Sequence, residues 1–137
     1  MKDWLEVDTA RFRQDRTEEI RQGVRIKMAV SPYDVPQGVR AYRDDRTGNF
    51  AIEFKYLVED EPHVQTEHEN QHVSVEIGKN SKRIYRIMLD VIAMQCDIVG
   101  LAVEAIEELP REHNRLSNSY DLTKQIVLQH RDKLVPA

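Results

Sequence analysis

The alternation of side chains between Phe50 and Val58 constrains the fold of this 137-residue chain more than any other sequence feature. Successive residues of a β-strand point to opposite faces of the sheet, so the alternation defines one apolar face. That face carries Phe50, Ile52, Phe54, Tyr56 and Val58. The other face carries Ala51, Glu53 and Lys55. One apolar and one charged face predict an antiparallel sheet with one side in water.

Three further segments show the same period of two. They are Val24–Val30, Val39–Arg43 and Val73–Ile77. The residues between Arg43 and Phe50 are rich in turn formers, which predicts a hairpin. These segments indicate a β-meander over residues 24–89.

The segment Arg83–Leu89 fits two structures. As a strand it places Tyr85, Ile87 and Leu89 on one face, and it is rich in branched and aromatic residues. As a helix it would join the next apolar segment and extend for about thirty residues from Ser81, which is unusual in a small domain. We favour the strand, with a helix beginning near Asp90.

Helices are predicted on both sides of the meander. Residues 1–23 indicate an N-terminal helix, since Asp15 and Glu18 have capping-box spacing. Asp90–Leu109 is apolar over most of its circumference, which predicts a buried helix. A last helix is expected over Ser119–Leu134. The expected fold is α+β: an N-terminal helix, a meander of about five antiparallel strands, and two C-terminal helices packed on one face of the sheet.

The length and composition indicate a single domain over residues 1–137. The chain is 40% hydrophobic and 32% charged, which is enough apolar material for one core. Its parts are a helical lead-in (1–23), the meander (24–89) and a helical part (90–137).

Residues 39–90 contain a hairpin (Val39–Val58), an acidic connector and a strand pair (Val73–Ile87), in that order. In this order the stretch resembles a family of short bacterial β-meander domains of unknown function. The family has a Gly-Arg-Ile-like turn in the strand pair, and here Lys82 stands in place of the glycine. The resemblance implies a strand at Arg83–Leu89 and transfers no catalytic residues.

Apolar runs, cysteine content and charge limit the cellular compartment and the partners expected for this protein. The longest apolar run, Ile98–Val103, is too short to span a membrane, and Met1–Glu6 shows no hydrophobic signal region. The single cysteine, Cys96, excludes a disulfide framework. A net charge of −4 disfavours general binding to nucleic acid. We expect a soluble cytoplasmic protein without membrane contact.

One formal motif suggests metal chemistry. His68-Glu69-Asn70-Gln71-His72 spells H-E-x-x-H, which on a helix holds zinc between two histidines and uses the glutamate as general base. The strand pattern that begins at Val73 counts against a helix here. The metal hypothesis, a hydrolase with His68, Glu69 and His72 at the metal, is therefore an alternative. The main expectation is an exposed acidic loop without a cofactor.

A second alternative concerns nucleic acid. Basic residues cluster near one turn and include an aromatic residue that could stack on a base: Lys79, Lys82, Arg83, Tyr85 and Arg86. This pattern fits an accessory protein of antitoxin type. Because the protein is acidic and only a few cations are clustered, nucleic-acid binding is the less favoured hypothesis.

The favoured hypothesis is a non-catalytic protein that acts through self-association or protein–protein contact. No nucleophile elbow, phosphate loop or dinucleotide fingerprint is present in the sequence. The Asp90–Leu109 segment is too apolar for a helix with one face in water, which indicates a homodimer or larger assembly. The expected interface residues are Val91, Met94, Ile98, Leu101 and Ala102. Cys96 is expected to be a small buried residue rather than a nucleophile.

Overall fold

The computed structural model of the chain describes residues 3–7, 18–21, 24–27, 31–110 and 114–135. Within them, eight strands precede two α-helices, so the fold is α+β as predicted. The strands are β1 (Leu5–Glu6), β2 (Glu18–Arg21), β3 (Val24–Lys27), β4 (Gly38–Arg43), β5 (Phe50–Lys55), β6 (His63–Thr66), β7 (Val73–Gly78) and β8 (Ile84–Leu89). The helices are α1 (Ile98–Glu107) and α2 (Asn114–Gln129).

Six of the described strands form one antiparallel sheet in the order β1-β4-β5-β8-β7-β6. The sheet therefore has six strands where about five were expected, and the predicted first strand of the meander, Val24–Lys27, does not belong to it. Strands β4 and β5 form the predicted hairpin, in whose turn Gly48 has a φ of 76° that glycine adopts without strain. Strand β8 lies between β5 and β7, which confirms the strand prediction for Arg83–Leu89.

The predicted N-terminal helix is wrong in the described residues. Leu5–Glu6 is a strand at the edge of the sheet and pairs with Val39 and Gly38. Glu18–Arg21 pairs with Val24–Lys27 in a separate two-stranded sheet. The apolar stripe expected for the helix was thin, so its packing would stabilise a helix little. Strand pairing instead satisfies the backbone hydrogen-bonding groups. The rest of the expected helix, and residues 28–30 of the strand predicted over 24–30, lie outside the described residues.

The helix predicted over Asp90–Leu109 begins later than expected. The carboxylate of Asp90 accepts from the backbone N–H of Ala93, where a short 3-10 turn begins. The carboxylate of Asp97 then caps α1 by accepting from the N–H of Gly100 at 3.2 Å. Two capping aspartates therefore interrupt an apolar stretch whose pattern alone predicts one continuous helix.

The last helix begins at Asn114 instead of Ser119 and ends at Gln129 instead of Leu134. Residues 130–133 continue as turns, in which the N–H of Leu134 bonds to the carbonyl of His130 at 3.1 Å. Leu134 is fully buried, so it contributes to the core without being helical. This explains why the apolar spacing extended the predicted helix too far.

Helices α1 and α2 pack on one face of the sheet, as predicted. The core contains the apolar faces of the central strands and the inner faces of both helices. Its fully buried large side chains include Phe50, Ile52, Ile87, Leu89, Ile106, Tyr120 and Ile126. The predicted apolar face of β5 is therefore the face that the helices cover.

The opposite face of the sheet carries a row of alternating charge. Arg40, Glu53, Arg86 and Glu76 are cross-strand neighbours on β4, β5, β8 and β7. The ion-pair distances along the row are 3.0 Å, 3.2 Å and 3.3 Å. At one end the Arg40 guanidinium lies 4.3 Å from the ring centroid of Trp4. We call these four residues the charged row.

Strand β8 contains a bulge at Tyr85. Glu76 faces Arg86 across the β7–β8 ladder, and the next pair is Ile77 with Ile84, so Tyr85 has no opposing residue. A bulge interrupts the alternation of side chains. Ile84 and Tyr85 are consequently both buried, although they are consecutive.

Candidate functional site

The H-E-x-x-H segment does not form a helix. Residues 69–72 form bends and a turn between β6 and β7. The side-chain oxygen of Asn70 accepts from the N–H of His72 at 3.0 Å, and its carbonyl accepts from the N–H of Val73. The asparagine thus organises a tight turn, which removes the helical geometry that would place His68 and His72 on one face.

The His68 side chain is only 2% exposed and makes two short hydrogen bonds. Its Nδ1 lies 2.7 Å from a carboxylate oxygen of Glu108, and its Nε2 lies 2.6 Å from the hydroxyl oxygen of Thr66. The Thr66 hydroxyl donates its only proton to the carbonyl of Val75, so it can only accept from His68. His68 therefore links β6 to the residue that follows α1.

His72 has a separate partner in a more exposed setting. Its Nδ1 lies 2.6 Å from a carboxylate oxygen of Asp90, and the two side chains are 42% and 36% exposed. Burial opposes ionisation of this carboxyl, but the backbone N–H of Ala93 and the His72 ring lower the pKa of Asp90. Each histidine of the motif therefore holds its own carboxylate.

The described residues do not bring the proposed metal ligands together. Glu69 is exposed, while His68 and His72 are bound to different acids. Among the residues of the chain that the structure describes, no three His, Cys, Asp or Glu side chains are arranged to hold a metal ion.

The predicted nucleic-acid residues do not form one exposed basic surface. Arg83 donates to Asp34 at 2.9 Å, and its side chain is only 13% exposed. Arg86 belongs to the charged row. Lys79 and Lys82 are exposed at the turn between β7 and β8. The arginines of the cluster are thus neutralised by acids from distant parts of the chain.

Tyr85 is buried by aromatic neighbours. The ring of His63 stacks on it with 4.4 Å between centroids and an interplanar angle of 19°. Tyr56 contacts its edge at 5.3 Å, and the Tyr85 hydroxyl donates to Glu61 at 3.1 Å. Its ring is therefore already stacked on a protein side chain and only 8% exposed.

Glu61 organises the turn that follows β7. One of its carboxylate oxygens accepts from the N–H groups of Asn80 and Ser81, both at 2.9 Å. Burial alone would raise the pKa of Glu61, but hydrogen bonds from Ser81, Asn80 and the Tyr85 hydroxyl lower it to about 2. A side chain on Gly78 would displace this carboxylate and the Ser81 hydroxyl, so the contact is possible only with glycine there. Sequence patterns missed this contact because it joins residues about twenty positions apart.

Lys82 adopts a φ of 65° in the same turn. This is the left-handed region, whose steric cost glycine avoids. We expect Lys82→Gly to raise the free energy of unfolding by about 0.5 kcal/mol, since the greater flexibility of unfolded glycine offsets part of the gain. Urea denaturation measures the change. Lys79→Gly, at an exposed position of the same turn, is the matched control, and a Lys82→Gly variant that is no more stable than the wild type would contradict the prediction.

An apolar patch lies between β8 and α1. Val91 and Ile92 are 53% and 57% exposed, and the turn that follows brings the Cys96 sulfur to 3.7 Å from the carbonyl oxygen of Ile92. Met94 and Cys96, which follow in the chain, line a shallow depression of 440 Å³ together with Val135. We call these five residues the apolar patch.

The predicted interface residues are divided by this structure. Ile98 and Ala102 are buried in the core of the same chain, whereas Met94 and Leu101 are partly buried against it. Val91 is exposed within the apolar patch. Cys96 is exposed and not buried as expected, because it follows the 3-10 turn and precedes α1. The exposure of Ile92 and Val135 was not predicted, since a continuous helix from Asp90 would have placed Ile92 in the core.

Comparison with protein-family models, curated proteins and solved structures gives no match for this chain. Its function is therefore inferred from its own residues. In the described part of the chain, neither helix has the length and apolar character needed to cross a membrane.

Proposed function

We propose that this protein is a non-catalytic interaction protein that self-associates through the apolar patch. The observation that carries the proposal is the exposure of two consecutive branched residues, Val91 and Ile92, in the segment that leads to this depression. A cluster of exposed apolar side chains typically marks a contact site. A second copy is the occupant we favour, since a two-fold interface uses the same patch twice.

The composition of the patch agrees with such a contact. Met94 is flexible and adapts to an opposing surface, and the charged residues Asp97, Arg131 and Asp132, which also line the depression, offer polar contacts to a partner. Cys96 is exposed and is the single cysteine of the chain, which fits the reducing cytoplasm that we expect for the protein.

The test is the double substitution Val91→Ser/Ile92→Ser. Each half-exposed side chain is expected to contribute about 1 kcal/mol when buried, so a two-fold contact loses about 4 kcal/mol, or roughly 1,000-fold in affinity. Light scattering over a concentration series measures the molar mass. We expect a dimer for the wild type and a monomer for the variant.

Leu57→Ser is the matched control. Leu57 is 59% exposed, as Val91 and Ile92 are, but it follows the end of β5 that lies away from them. It should leave the dimer intact. A monomeric wild type, or a Val91→Ser/Ile92→Ser variant that remains dimeric, would refute the proposal. Stoichiometric zinc in the purified protein that is lost in His68→Ala would instead favour the metal-dependent hydrolase.

A further inference from the structure

Strand β6 is the outer strand of the six-stranded sheet. Only β7 pairs with it among the described residues, and its other edge has no strand partner there. Val64 and Gln65 are exposed on this strand. An edge strand of this kind presents backbone donors and acceptors to an added strand.

The hydrogen bonds to β7 show which backbone groups face outward. The carbonyl of Pro62 accepts from the N–H of Lys79 at 2.8 Å, so residue 62 directs its backbone toward β7. Backbone groups of an antiparallel strand alternate in direction from one residue to the next. His63 and Gln65 therefore direct their N–H and C=O groups to the outer edge, where two residues of another strand can bond to them.

The surroundings of this edge are acidic. Residues 59–72 contain five Asp or Glu and no Lys or Arg. Glu61 is bound to the turn after β7, but Glu59, Asp60, Glu67 and Glu69 are exposed before and after β6. The free edge therefore favours an extended segment that carries positive charge and opposes one that carries negative charge.

The same chain contains a strand of this chemistry. Strand β3 (Val24–Lys27) is four residues long, as β6 is, and alternates Arg25 and Lys27 with branched residues. Residues 11–27 contain six Lys or Arg and three Asp or Glu, a net charge of +3. In the described residues, β3 pairs only with β2 and belongs to no larger sheet. A two-stranded hairpin by itself is marginally stable, so it gains most from adding to another sheet.

We infer that β3 of one copy pairs with the outer edge of β6 in a second copy, and so extends the six-stranded sheet across the contact. The inference rests on the proposed self-association but uses a different surface from the apolar patch. Backbone hydrogen bonds at His63 and Gln65 supply the pairing, and the opposite charges on the two segments select the partner.

The test is an exchange of charge between the two segments. Arg25→Glu/Lys27→Glu reverses the charge carried by strand β3. Glu59→Lys/Glu67→Lys reverses the charge of two exposed residues that flank β6. Each variant alone is expected to self-associate roughly tenfold more weakly than the wild type at low salt. A 1:1 mixture of the two variants restores association, since each contact again joins opposite charges. Failure of the mixture to associate more strongly than either variant would overturn the inference.

Gln65→Pro tests the backbone pairing directly. Proline removes the outward N–H of Gln65 and leaves the hydrogen bonds to β7 in place, as is tolerated in edge strands. We expect weaker association than in Gln65→Ala, which keeps the N–H. Equal association of the two variants contradicts strand addition. A monomeric wild type would also overturn the inference, and protection of the Gln65 amide from hydrogen exchange in that monomer would show pairing within one chain instead.

The background of Val91→Ser/Ile92→Ser separates this inference from the proposed function. The expected result is that Val91→Ser/Ile92→Ser abolishes association and that Gln65→Pro weakens it in the wild type, because both contacts hold the dimer together. Residual association of the double variant that is lost in Gln65→Pro would support strand addition and refute the apolar patch as the required surface. Association that is lost in Val91→Ser/Ile92→Ser but unaffected by Gln65→Pro would support the apolar patch and refute strand addition.

Discussion

His68→Ala is expected to lower the free energy of unfolding by about 2–3 kcal/mol, whereas His72→Ala lowers it by less than about 1 kcal/mol. Both histidines bind a carboxylate at nearly the same distance, 2.7 Å and 2.6 Å. Their side chains differ in exposure, at 2% for His68 and 42% for His72. Water competes with the exposed pair and not with the buried ring, so burial decides the size of the effect. Chemical denaturation at one pH measures both variants.

The partner of His68 provides the control for this prediction. Glu108 ends α1, so its bond to His68 fastens the loop after β6 to that helix. Glu108→Gln keeps an oxygen acceptor but removes the charge, and we expect it to cost less than His68→Ala because Glu108 is 35% exposed. The double variant should cost less than the sum of the two single variants. Equal effects of His68→Ala and His72→Ala would show that burial is not what separates the two pairs.

Glu61→Ala is expected to cost about 2–3 kcal/mol of unfolding free energy, because the N–H groups of Asn80 and Ser81 and the Tyr85 hydroxyl lose their acceptor. Gly78→Ala should cost a similar amount, since its new methyl group occupies the space of the Glu61 carboxylate. The two substitutions disrupt the same contact. The new methyl group would also lie 2.6 Å from the Ser81 hydroxyl oxygen, so Gly78→Ala should keep part of its cost once Glu61 is alanine, and the double variant should cost less than the sum of the two single variants. Additive costs in urea denaturation would refute this account of the turn.

The low pKa of Glu61 also gives this contact a pH dependence. The unfolded carboxyl has a pKa of 4.5 and the folded one about 2, so the ionised form favours folding. The contribution is fully present above pH 4.5 and is lost as the pH falls toward 2. Glu61→Gln lacks the titrating group, so its stability should fall less steeply over this range. Parallel curves for wild type and variant would contradict the assignment.

The central sheet was predictable because its pattern is local. Alternation located β4, β5, β7 and β8, since each strand buries one face against the helices. Leu5–Glu6 could not be recognised, because two residues form a strand only through pairing with Val39 on β4. The late start of α1 was also missed, since Asp97 acts through its capping geometry and not through apolar spacing.

The candidate site was less predictable because its contacts join distant residues. Arg83 was interpreted as part of a basic surface, but the chain brings Asp34 to it from 49 residues away. His68 was interpreted by its spacing to His72, whereas its partner Glu108 is 40 residues away. A local pattern identifies which side chains are charged. The topology of the sheet determines which of them meet.

The charged row has a consequence for the register in which the strands pair. Sliding β5 by two residues along β4 would keep every side chain on its proper face, so hydrophobic burial alone does not reject that error. In one direction this slip would place Lys55 opposite Arg40 in place of Glu53. Like charges directly opposite one another are unfavourable. The polar face of the sheet therefore discriminates against mispaired ladders that the apolar face would accept.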